Sequence, residues 1–587
     1  MIKLSDYIFR FLKEKSVKYI FMLPGGGAMH LDDSVGKSGI DYVCTLHEQA
    51  AAVAAEAYAQ HTNEIGVCLT TSGPGATNAI TGVTAGWIDS TPMFILSGQA
   101  KRSDLIGDSG VRQTGSQEVQ IIEMVKPITK YAVQVMESEE IRYHMERAYY
   151  EATSGRPGPV WLSIPLDVQA TMIDPETQKG FEPETQNVSG LSEAVKKTLE
   201  LLKGADRPVI LAGNGIKLAG ATQDFYRLLD ILPVPVLTTW KTIDMLGEED
   251  ELYAGHPGGM GDRGANLILQ SADLLICVGS RLDTSLTAFN EPHFGMSAKK
   301  IIVDIDPNEL NRMKLEQVEV KLACDAGEFI RELSRAAGEN AELQERNGVW
   351  KIWNRQGHEL RGKYPVVTEE HKNVQGVVSA YYFIDLLCKY TTAEDVIVPE
   401  SSGAAGEITY QAFKPKRGQK MKNAAGLGSM GFGLPYAIGA CLANGGRRTI
   451  LINGDGAFQM NIQELETLAR LKLPVKIFIW NNQGYASIRS MQNNIFGGFQ
   501  VASGESSGLT LPDTVRVAEA YGLRTFRISD NRQLEEQIER ILNAEGPILC
   551  ELLISPDETV SPRTKTIVHE DGTLESYPLE RMWPIVE

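Results

Sequence analysis

The stretch that decides the fold runs from Arg447 to Ile488 and has the sequence RRTILINGDGAFQMNIQELETLARLKLPVKIFIWNNQGYASI. TILIN has the composition of a buried strand. The helical-period segment NIQELETLARL then leads to a second strand, VKIFIW. A crossover of this kind joins neighbouring parallel strands. The pattern therefore predicts that Asp455 and Asn482, which follow the two strands, lie beside each other at one edge of a parallel sheet.

This segment resembles the thiamine diphosphate signature, in which a GDG is followed at a set distance by NN. Gly454 and Gly456 permit a sharp turn that leaves backbone amides open to an anion. A carboxylate oxygen of Asp455, an amide oxygen of Asn482 and a carbonyl near Gly484 would supply three hard ligands, and diphosphate oxygens and water the others. Mg²⁺ fits this set best. The alternative is an ordinary strand-to-helix turn followed by an Asn-rich loop.

The same alternation of short apolar runs and helical-period segments extends along the whole chain, for example in YIFML, PMFILSG, PVILAG and KIIVDID. It predicts an α/β protein with three doubly wound parallel-sheet domains. Polar stretches near 174–190 and 337–360 separate them. We place the domains at 1–170, 190–340 and 370–558. A tail at 559–587 has no periodicity and is interpreted as lying on the surface, with an active-site lid as the alternative.

Composition limits the class of function. The chain has 587 residues, 43% of them hydrophobic and 22% charged, as in a multidomain globular protein. Its net charge of -18 disfavours nucleic acid and anionic membrane surfaces as partners. No signal peptide or membrane span is predicted. The seven cysteines are scattered without a CxxC pair, which predicts reduced thiols and a cytoplasmic location.

The first block contains Glu48 where a strand meets the Ala-rich segment EQAAAVAAEAYAQ. Thiamine catalysis needs a carboxylate hydrogen-bonded to the aminopyrimidine ring, because that bond favours the imino tautomer whose nitrogen deprotonates the thiazolium carbon. We predict this role for Glu48, with a simple helix-start charge as the alternative. Two Gly-rich turns, PGGGAMH (24–30) and TSGPGATN (71–78), suit close approach to the cofactor, and their candidate contacts are Pro24, Gly25, Gly26, Pro74 and Asn78.

The segment AAGLGSMGFGLPYAIGA contains a bulky thioether, Met430, between small residues. The thiamine resemblance implies that Met430 wedges the cofactor into a bent shape and that backbone groups of Gly428 and Met430 bind the pyrimidine. Core filling is the alternative for this side chain. Around the GDG and NN motifs, the other candidate cofactor contacts are Gly454, Gly456, Ala457, Gly484 and Tyr485.

Together these segments resemble the acetolactate synthase large-subunit family of thiamine diphosphate enzymes, over nearly the whole chain to about residue 555. The resemblance implies a pyrimidine-binding, a central and a diphosphate-binding domain in that order. It also implies that the cofactor lies between two subunits, so the protein would be at least a homodimer, with a tetramer as the alternative. Ser116-Gln117 stands where the family has a Phe-Gln pair, and Gln117 is kept as a candidate catalytic group.

Several positions depart from the family pattern. Ser285 replaces an Arg thought to hold the second oxo acid, and Ser cannot form a bidentate ion pair. Met491 replaces a Trp, Ser487 a Met and Leu166 a Lys. Many relatives bind FAD in the central domain. Here, candidate nucleotide contacts are Gly213, Gly215 and either Asp304 or Asp306, and a central domain without any ligand is an equal alternative.

The predicted function is that of a carboligase, which decarboxylates a 2-oxo acid such as pyruvate and passes the acyl carbanion to a carbonyl acceptor. The absence of an adjacent His pair favours ligation over aldehyde release. The missing Arg predicts an aldehyde or keto-sugar as acceptor. A 2-oxo acid decarboxylase or a diketone hydrolase is the second hypothesis, and a catalytically silent cofactor-binding subunit is the third.

Overall fold

The computed structural model of the protein describes residues 1–183, 189–569 and 571–586. Three parallel sheets, each flanked by helices, lie within these ranges. The prediction of an α/β protein with three parallel-sheet domains is confirmed. Residues 184–188 of the polar stretch 174–190, and residues 570 and 587 of the predicted tail, lie outside the described residues. No helix in the described part of the chain is long and apolar enough to cross a membrane.

The first sheet has six strands, all parallel to their neighbours. Their spatial order is Asp41–Cys44, Tyr19–Met22, Gly66–Thr70, Met93–Gln99, Pro159–Pro165 and Tyr131–Gln134. The helices of this domain are Leu4–Glu14, Met29–Ser38, Glu48–Thr62, Pro74–Ile88, Ile121–Val125, Ile141–Thr153 and Leu166–Gln169. A short antiparallel pair, Ile2–Lys3 with Met172–Ile173, joins the two ends of the domain.

The second sheet has five parallel strands. Their order is Val236–Thr238, Pro208–Ala212, Leu274–Val278, Lys299–Asp304 and Val318–Ala323. Its helices are Leu191–Gly204, Gly215–Leu218, Thr222–Ile231, Arg263–Ser271, Pro307–Arg312, Ala326–Gly338 and Ala341–Lys363. The last of these covers most of the polar stretch 337–360. It packs on the central domain because Trp350 and Trp353 are buried, and Trp350 Nε1 donates to Ala205 O at 3.0 Å.

The third sheet again has six parallel strands. Their order is Lys420–Met421, Val396–Pro399, Thr449–Gly454, Val475–Asn481, Ile548–Leu553 and Arg524–Ile528. The helices are Glu369–Lys372, Ala380–Tyr390, Ala404–Ala412, Gly433–Ala443, Asp455–Phe458, Glu464–Leu471, Ala486–Ile495, Thr514–Ala520 and Leu534–Asn543. Gly454 pairs with Trp480 in this sheet, so the two strands of the GDG segment are parallel neighbours, as their spacing predicts.

The first and third domains pack through two helices rich in small residues, Glu48–Thr62 and Gly433–Ala443. A Cβ on Gly439 would lie 2.1 Å from Ala54 O, so the two backbones touch at this crossing. Only glycine permits such an approach. The buried alanines of the first helix and the apolar residues of the second belong to one continuous core. The two domains therefore have a fixed relative position within the chain.

The C-terminal segment runs along the central and third domains. It contains one antiparallel hairpin, Thr566–Val568 with Leu574–Ser576, which the aperiodic sequence does not predict. Gln411 Nε2 of the third domain donates to Pro562 O at 2.6 Å, and Asn266 Nδ2 of the central domain donates to Leu579 O at 3.1 Å. These contacts fasten the segment to both domains.

Candidate functional site

Asp455 and Asn482 lie next to each other at the carboxyl edge of the third sheet. Asp455 is nearly inaccessible to solvent, and its Oδ1 and Oδ2 accept hydrogen bonds from the N–H groups of Gly456 at 2.8 Å and Gly484 at 3.1 Å. Burial raises the pKa of Asp455 to about 6, against the opposing effect of these two hydrogen bonds. The carboxylate is thus held rigidly in a site that disfavours its negative charge.

The side-chain amide of Asn482 completes a cluster of polar atoms. One of its terminal atoms lies 2.8 Å from Gly484 O and 3.3 Å from Asp455 Oδ1. If that atom is the amide oxygen, three oxygens face one another. Octahedral Mg²⁺ with ligands at about 2.1 Å places adjacent oxygens roughly 3 Å apart, which matches these separations. If it is the nitrogen, the amide donates to both neighbours. The donor set therefore fits a hard divalent cation.

A neighbouring loop, which the sequence analysis missed, adds an anion-binding arrangement. Ser401, Ser402 and Gly403 follow strand Val396–Pro399, and Gly403 has a φ of 75° where helix Ala404–Ala412 begins. The buried Ser402 Oγ has no hydrogen-bond partner among the residues described. A free hydroxyl beside a helix N-terminus suits a phosphate group. The only sequence signal was SSG directly after the strand VIVP.

Met430 lies in a turn between two glycines with positive φ, Gly428 at 64° and Gly431 at 86°. Its side chain is half-buried. Asn461 Nδ2 donates to Gly431 O at 2.8 Å and holds the turn in place. The thioether is therefore presented from a rigid loop, a position that suits contact with a ligand as well as packing.

Gly456 allows the start of the helix Asp455–Phe458 to pack against Tyr485. A Cβ on Gly456 would lie 2.4 Å from the Tyr485 ring, so this glycine allows the ring to rest on the helix backbone. The strand-end residue Gly454 is partly exposed, and Ala457 is buried beside them. The candidate cofactor contacts around the GDG and NN motifs thus occupy one continuous surface.

The candidate residues of the first domain also come together. Glu48 is buried as the first residue of its helix, and its Oε2 accepts from Asn78 Nδ2 at 2.9 Å. Pro74 begins the helix that carries Asn78. The Gly-rich turn at 24–26 approaches the same region, because Gly27 N donates to Thr71 Oγ1 at 3.0 Å. These residues follow three adjacent strands and form one edge of the first sheet.

The backbone of Gln117 lies close to these first-domain residues. It has a φ of 68°, and a Cβ on Gly73 would lie 2.6 Å from Gln117 O. The Gln117 side chain is exposed, whereas the next residue, Glu118, is buried and accepts from Ile106 N at 3.3 Å. The loop is thus anchored at Glu118 and leaves the Gln117 amide free to meet a ligand.

The candidate site consists of two sets of residues. The first-domain set, at the edge of the first sheet, comprises Glu48, Asn78 and Gln117. The third-domain set, at the edge of the third sheet, comprises Asp455, Asn482, Gly484 and Ser402. Within residues 1–183, 189–569 and 571–586, no hydrogen bond or ion pair joins Glu48 or Asn78 to Asp455 or Asn482. Neighbouring residues do connect the two domains: Asn461 Nδ2 donates to Gln49 Oε1 at 3.0 Å and to Gly431 O in the Met430 turn, and Leu46 N donates to Glu464 Oε1 at 2.9 Å. Each set therefore forms within its own domain.

Comparison with known proteins identifies these domains. Family models described as the N-terminal TPP binding, central and C-terminal TPP binding domains of thiamine pyrophosphate enzymes match residues 2–124, 195–333 and 402–552. A probable acetolactate synthase large subunit of Methanocaldococcus jannaschii is 33% identical, over 95% of this chain and 92% of the relative. The chain belongs to the acetolactate synthase large-subunit family of thiamine pyrophosphate enzymes.

Other relatives agree with this placement. The acetolactate synthase large subunit of Cyanidium caldarium is 32% identical, with 94% of this chain and 93% of the relative covered. The isozyme 2 large subunit of Escherichia coli is 31% identical, with 95% and 96% covered. The predicted family, the cofactor thiamine diphosphate and an enzymatic, acetolactate-synthase-like carboligase function are confirmed.

In this thiamine pyrophosphate enzyme, a cavity of about 670 Å³ lies where the three domains meet. Gly215, Asp304 and Ser285 line it. Gly213 has a structural role instead, because its missing Cβ would lie 2.1 Å from Gly279 O. Asp306 caps helix Pro307–Arg312 and pairs with Arg156 at 3.0 Å. Two of the four nucleotide candidates therefore face the cavity.

The other departures from the family pattern lie at different places in the enzyme. Ser487 Oγ is 3.5 Å from the position of a Cβ on Gly403, so it faces the Ser402 loop. Met491 is half-exposed on helix Ala486–Ile495. Leu166 is partly exposed at the start of a short helix that follows the first sheet. Of these three, only Ser487 is in contact with the third-domain set.

Proposed function

We propose that the enzyme decarboxylates a 2-oxo acid, with pyruvate as the simplest donor, and transfers the acyl group to a carbonyl acceptor. The observation that carries this proposal is that both residue sets needed for thiamine catalysis are present and ordered. Glu48 is buried and oriented by Asn78. Asp455 is fixed beside Asn482 and Gly484. A silent binding subunit would not need the Glu48 arrangement, which disfavours that hypothesis.

We assign the third-domain set to the metal and the diphosphate. Asp455, Asn482 and the Gly484 carbonyl would hold Mg²⁺, whose charge offsets the unfavourable burial of the Asp455 carboxylate. Ser402 and the N-terminus of helix Ala404–Ala412 would bind diphosphate oxygens. Thiamine diphosphate, when bound there, supplies a nucleophilic carbon and accepts the electron pair that the departing carbon dioxide leaves behind.

We assign the proton chemistry to the first-domain set. Glu48 would donate a hydrogen bond to the pyrimidine ring nitrogen and hold the proton that favours the imino form. Asn78 orients the carboxyl group by donating to Oε2. The Met430 side chain would support the bent shape of the cofactor, with backbone groups of Gly428 and Met430 against the pyrimidine. Gln117, exposed beside Gly73, would contact the bound substrate.

We further propose that the catalytic unit is a homodimer, in which the first-domain set of one copy meets the third-domain set of the other. Apolar residues are exposed beside both sets. Leu46, two residues before Glu48, is 50% exposed, and Ile488 and Met491, which follow Tyr485, are 41% and 48% exposed. Exposed apolar surface around a polar site is typical of a subunit interface. A second copy would cover both regions and enclose the cofactor.

The acceptor follows from the residues that depart from the family. Ser285 cannot bind a carboxylate with two hydrogen bonds, whereas an Arg can. We therefore propose an acceptor without a carboxylate, namely an aldehyde or a keto-sugar, in preference to a second 2-oxo acid. A decarboxylase or diketone hydrolase is the alternative within the same chemistry.

All seven cysteines are free thiols, which supports the further proposal of a reducing, cytoplasmic location.

The first prediction separates the roles of the two sets. Glu48→Gln should lower kcat at least about a hundredfold while thiamine diphosphate still binds, because the amide cannot supply the proton. Asp455→Ala should abolish Mg²⁺-dependent cofactor binding. Calorimetric titration with thiamine diphosphate and carbon dioxide release from pyruvate measure the two effects. Glu345→Ala, on the exposed side of helix Ala341–Lys363, is the control. Full turnover in Glu48→Gln would refute its assignment.

The second prediction concerns the acceptor. Pyruvate offered with an aldehyde should give the mixed acyloin as the main product, identified by mass spectrometry. Ser285→Arg should shift products toward acetolactate, because it restores a guanidinium that can bind a carboxylate. Thr284→Arg, which places the same charge one residue away, should not. Acetolactate as the sole efficient product of the unmodified enzyme contradicts the proposal, and release of free aldehyde alone favours the decarboxylase.

We also propose that the large central cavity binds FAD or another nucleotide. Its volume of about 670 Å³ is typical of cofactor pockets, and Gly215 and Asp304, two of the predicted nucleotide contacts, line it. The third prediction is that the purified enzyme releases a nucleotide when it is denatured. Visible absorbance identifies a flavin, and mass spectrometry of the supernatant identifies any other nucleotide. A supernatant free of nucleotide would favour a central domain without a ligand.

A further inference from the structure

A second, smaller cavity of about 370 Å³ also lies where the three domains meet. The end of helix Glu48–Thr62 forms its wall in the first domain, and Lys217 and the start of helix Thr222–Ile231 form the wall in the central domain. The third domain contributes the segment from Gly418 to Lys422. This cavity adjoins the larger one at Asn214 and contains none of the catalytic or cofactor residues proposed above.

The lining of this cavity has more positive than negative charge. Lys217, Lys420 and Lys422 line it, together with two carboxylates, Asp89 and Asp244. Asp244 forms an ion pair with Lys217, and Asp89 forms one with Lys241 at 2.7 Å. Within the described ranges, neither Lys420 nor Lys422 has a carboxylate within ion-pair distance. The cavity therefore contains two lysine side chains that have no ion-pair partner in the described part of the chain.

Lys422 is the more unusual of the two because it is buried. Only 7% of its surface is exposed, and its ammonium donates to Gln60 O. An ammonium removed from water without a counter-ion is strongly disfavoured. Burial, followed by repulsion from Lys217, accordingly lowers the pKa of Lys422 well below its ordinary range, although Asp244 opposes the shift. An anion in the cavity would remove this cost.

His61 adds a buried hydrogen-bond donor to the wall of the cavity. The imidazole is buried and lines the cavity. Its Nδ1 lies 3.2 Å from Asn444 Nδ2, which also donates to Ala440 O. Because an amide nitrogen is a donor, Nδ1 accepts and the proton is on Nε2. His61 Nε2 is fully buried and has no hydrogen-bond partner in the described part of the chain, so its N–H is an unsatisfied donor in the wall of the cavity.

The helix Thr222–Ile231 contributes a third kind of donor. Its N-cap residue, Ala221, provides no side-chain hydrogen bond to the first turn, and Thr222 and Gln223 in that turn line the cavity. Free N–H groups at a helix N-terminus attract anions, phosphate above all. Lys420, Gly418 and Gln223 are exposed at the rim, so a ligand can enter from solvent.

We infer that this cavity binds the phosphate group of a small molecule. Two lysines without an ion-pair partner and an uncapped helix N-terminus line it, and the unsatisfied imidazole N–H of His61 lies in its wall. Ammonium groups and free helix N–H groups are typical donors of phosphate sites. The volume exceeds that of one inorganic phosphate and accommodates a phosphomonoester. Because the walls come from three domains, the bound phosphate would join them and stabilise their arrangement.

The fourth prediction tests this site in the holoenzyme saturated with thiamine diphosphate and Mg²⁺. Inorganic phosphate and glycerol 3-phosphate are titrated separately at constant ionic strength. Each should raise the Tm by about 2 °C or more at saturation. Lys420→Gln, an exposed change that leaves the core intact, should weaken binding about tenfold. Lys351→Gln, on the exposed side of helix Ala341–Lys363, should not change it.

Lys422→Met provides a second, opposite readout. It should raise the Tm of the phosphate-free holoenzyme, because the buried charge is gone, and should remove the response to phosphate. Tighter binding of glycerol 3-phosphate than of inorganic phosphate would identify an organic phosphate as the ligand, and equal binding would identify free phosphate. The inference is overturned if neither compound changes the Tm, or if Lys420→Gln and Lys422→Met respond as the unmodified enzyme does.

Discussion

Three polar groups at the carboxyl ends of two neighbouring strands, a carboxylate, a side-chain amide and a backbone carbonyl, set the constraint on which the rest of the structure depends. A terminal atom of the Asn482 amide lies 2.8 Å from Gly484 O and 3.3 Å from Asp455 Oδ1, a spacing that fits the ligands of an octahedral Mg²⁺. Their positions follow from the parallel pairing of Thr449–Gly454 with Val475–Asn481. The burial that raises the pKa of Asp455 also keeps water away from its carboxylate.

Patterns local in sequence predicted much of this arrangement. The GDG and NN motifs stand at strand ends, so a parallel sheet necessarily brings Asp455 and Asn482 together. Glu48 could be predicted because it is a charged residue located between a strand and an alanine-rich helix. The Ser402 loop was missed because three small residues after a strand have no characteristic spacing. The lysine cavity could not be predicted, since Lys217 and Lys422 come from different domains.

Close packing of small residues fixes the relative positions of the two residue sets within one chain. Helices Glu48–Thr62 and Gly433–Ala443 touch at Gly439, so the first and third domains of one chain cannot rotate relative to each other. Each sheet then presents its own set of site residues beside exposed apolar side chains. This arrangement supports the proposal that a second copy completes the cofactor site. Arg156 joins the first domain to the central domain through its ion pair with Asp306.

The measurement that tests this account most directly is the activity of a mixed dimer. Chains carrying Glu48→Gln and chains carrying Asp455→Ala are expressed together with different tags, and the hybrid is purified through both. If each site takes its two sets from different copies, the hybrid contains one site with both native residues and one with neither, and should have about half of the native activity. A hybrid as inactive as either parent would show that the site forms within one chain.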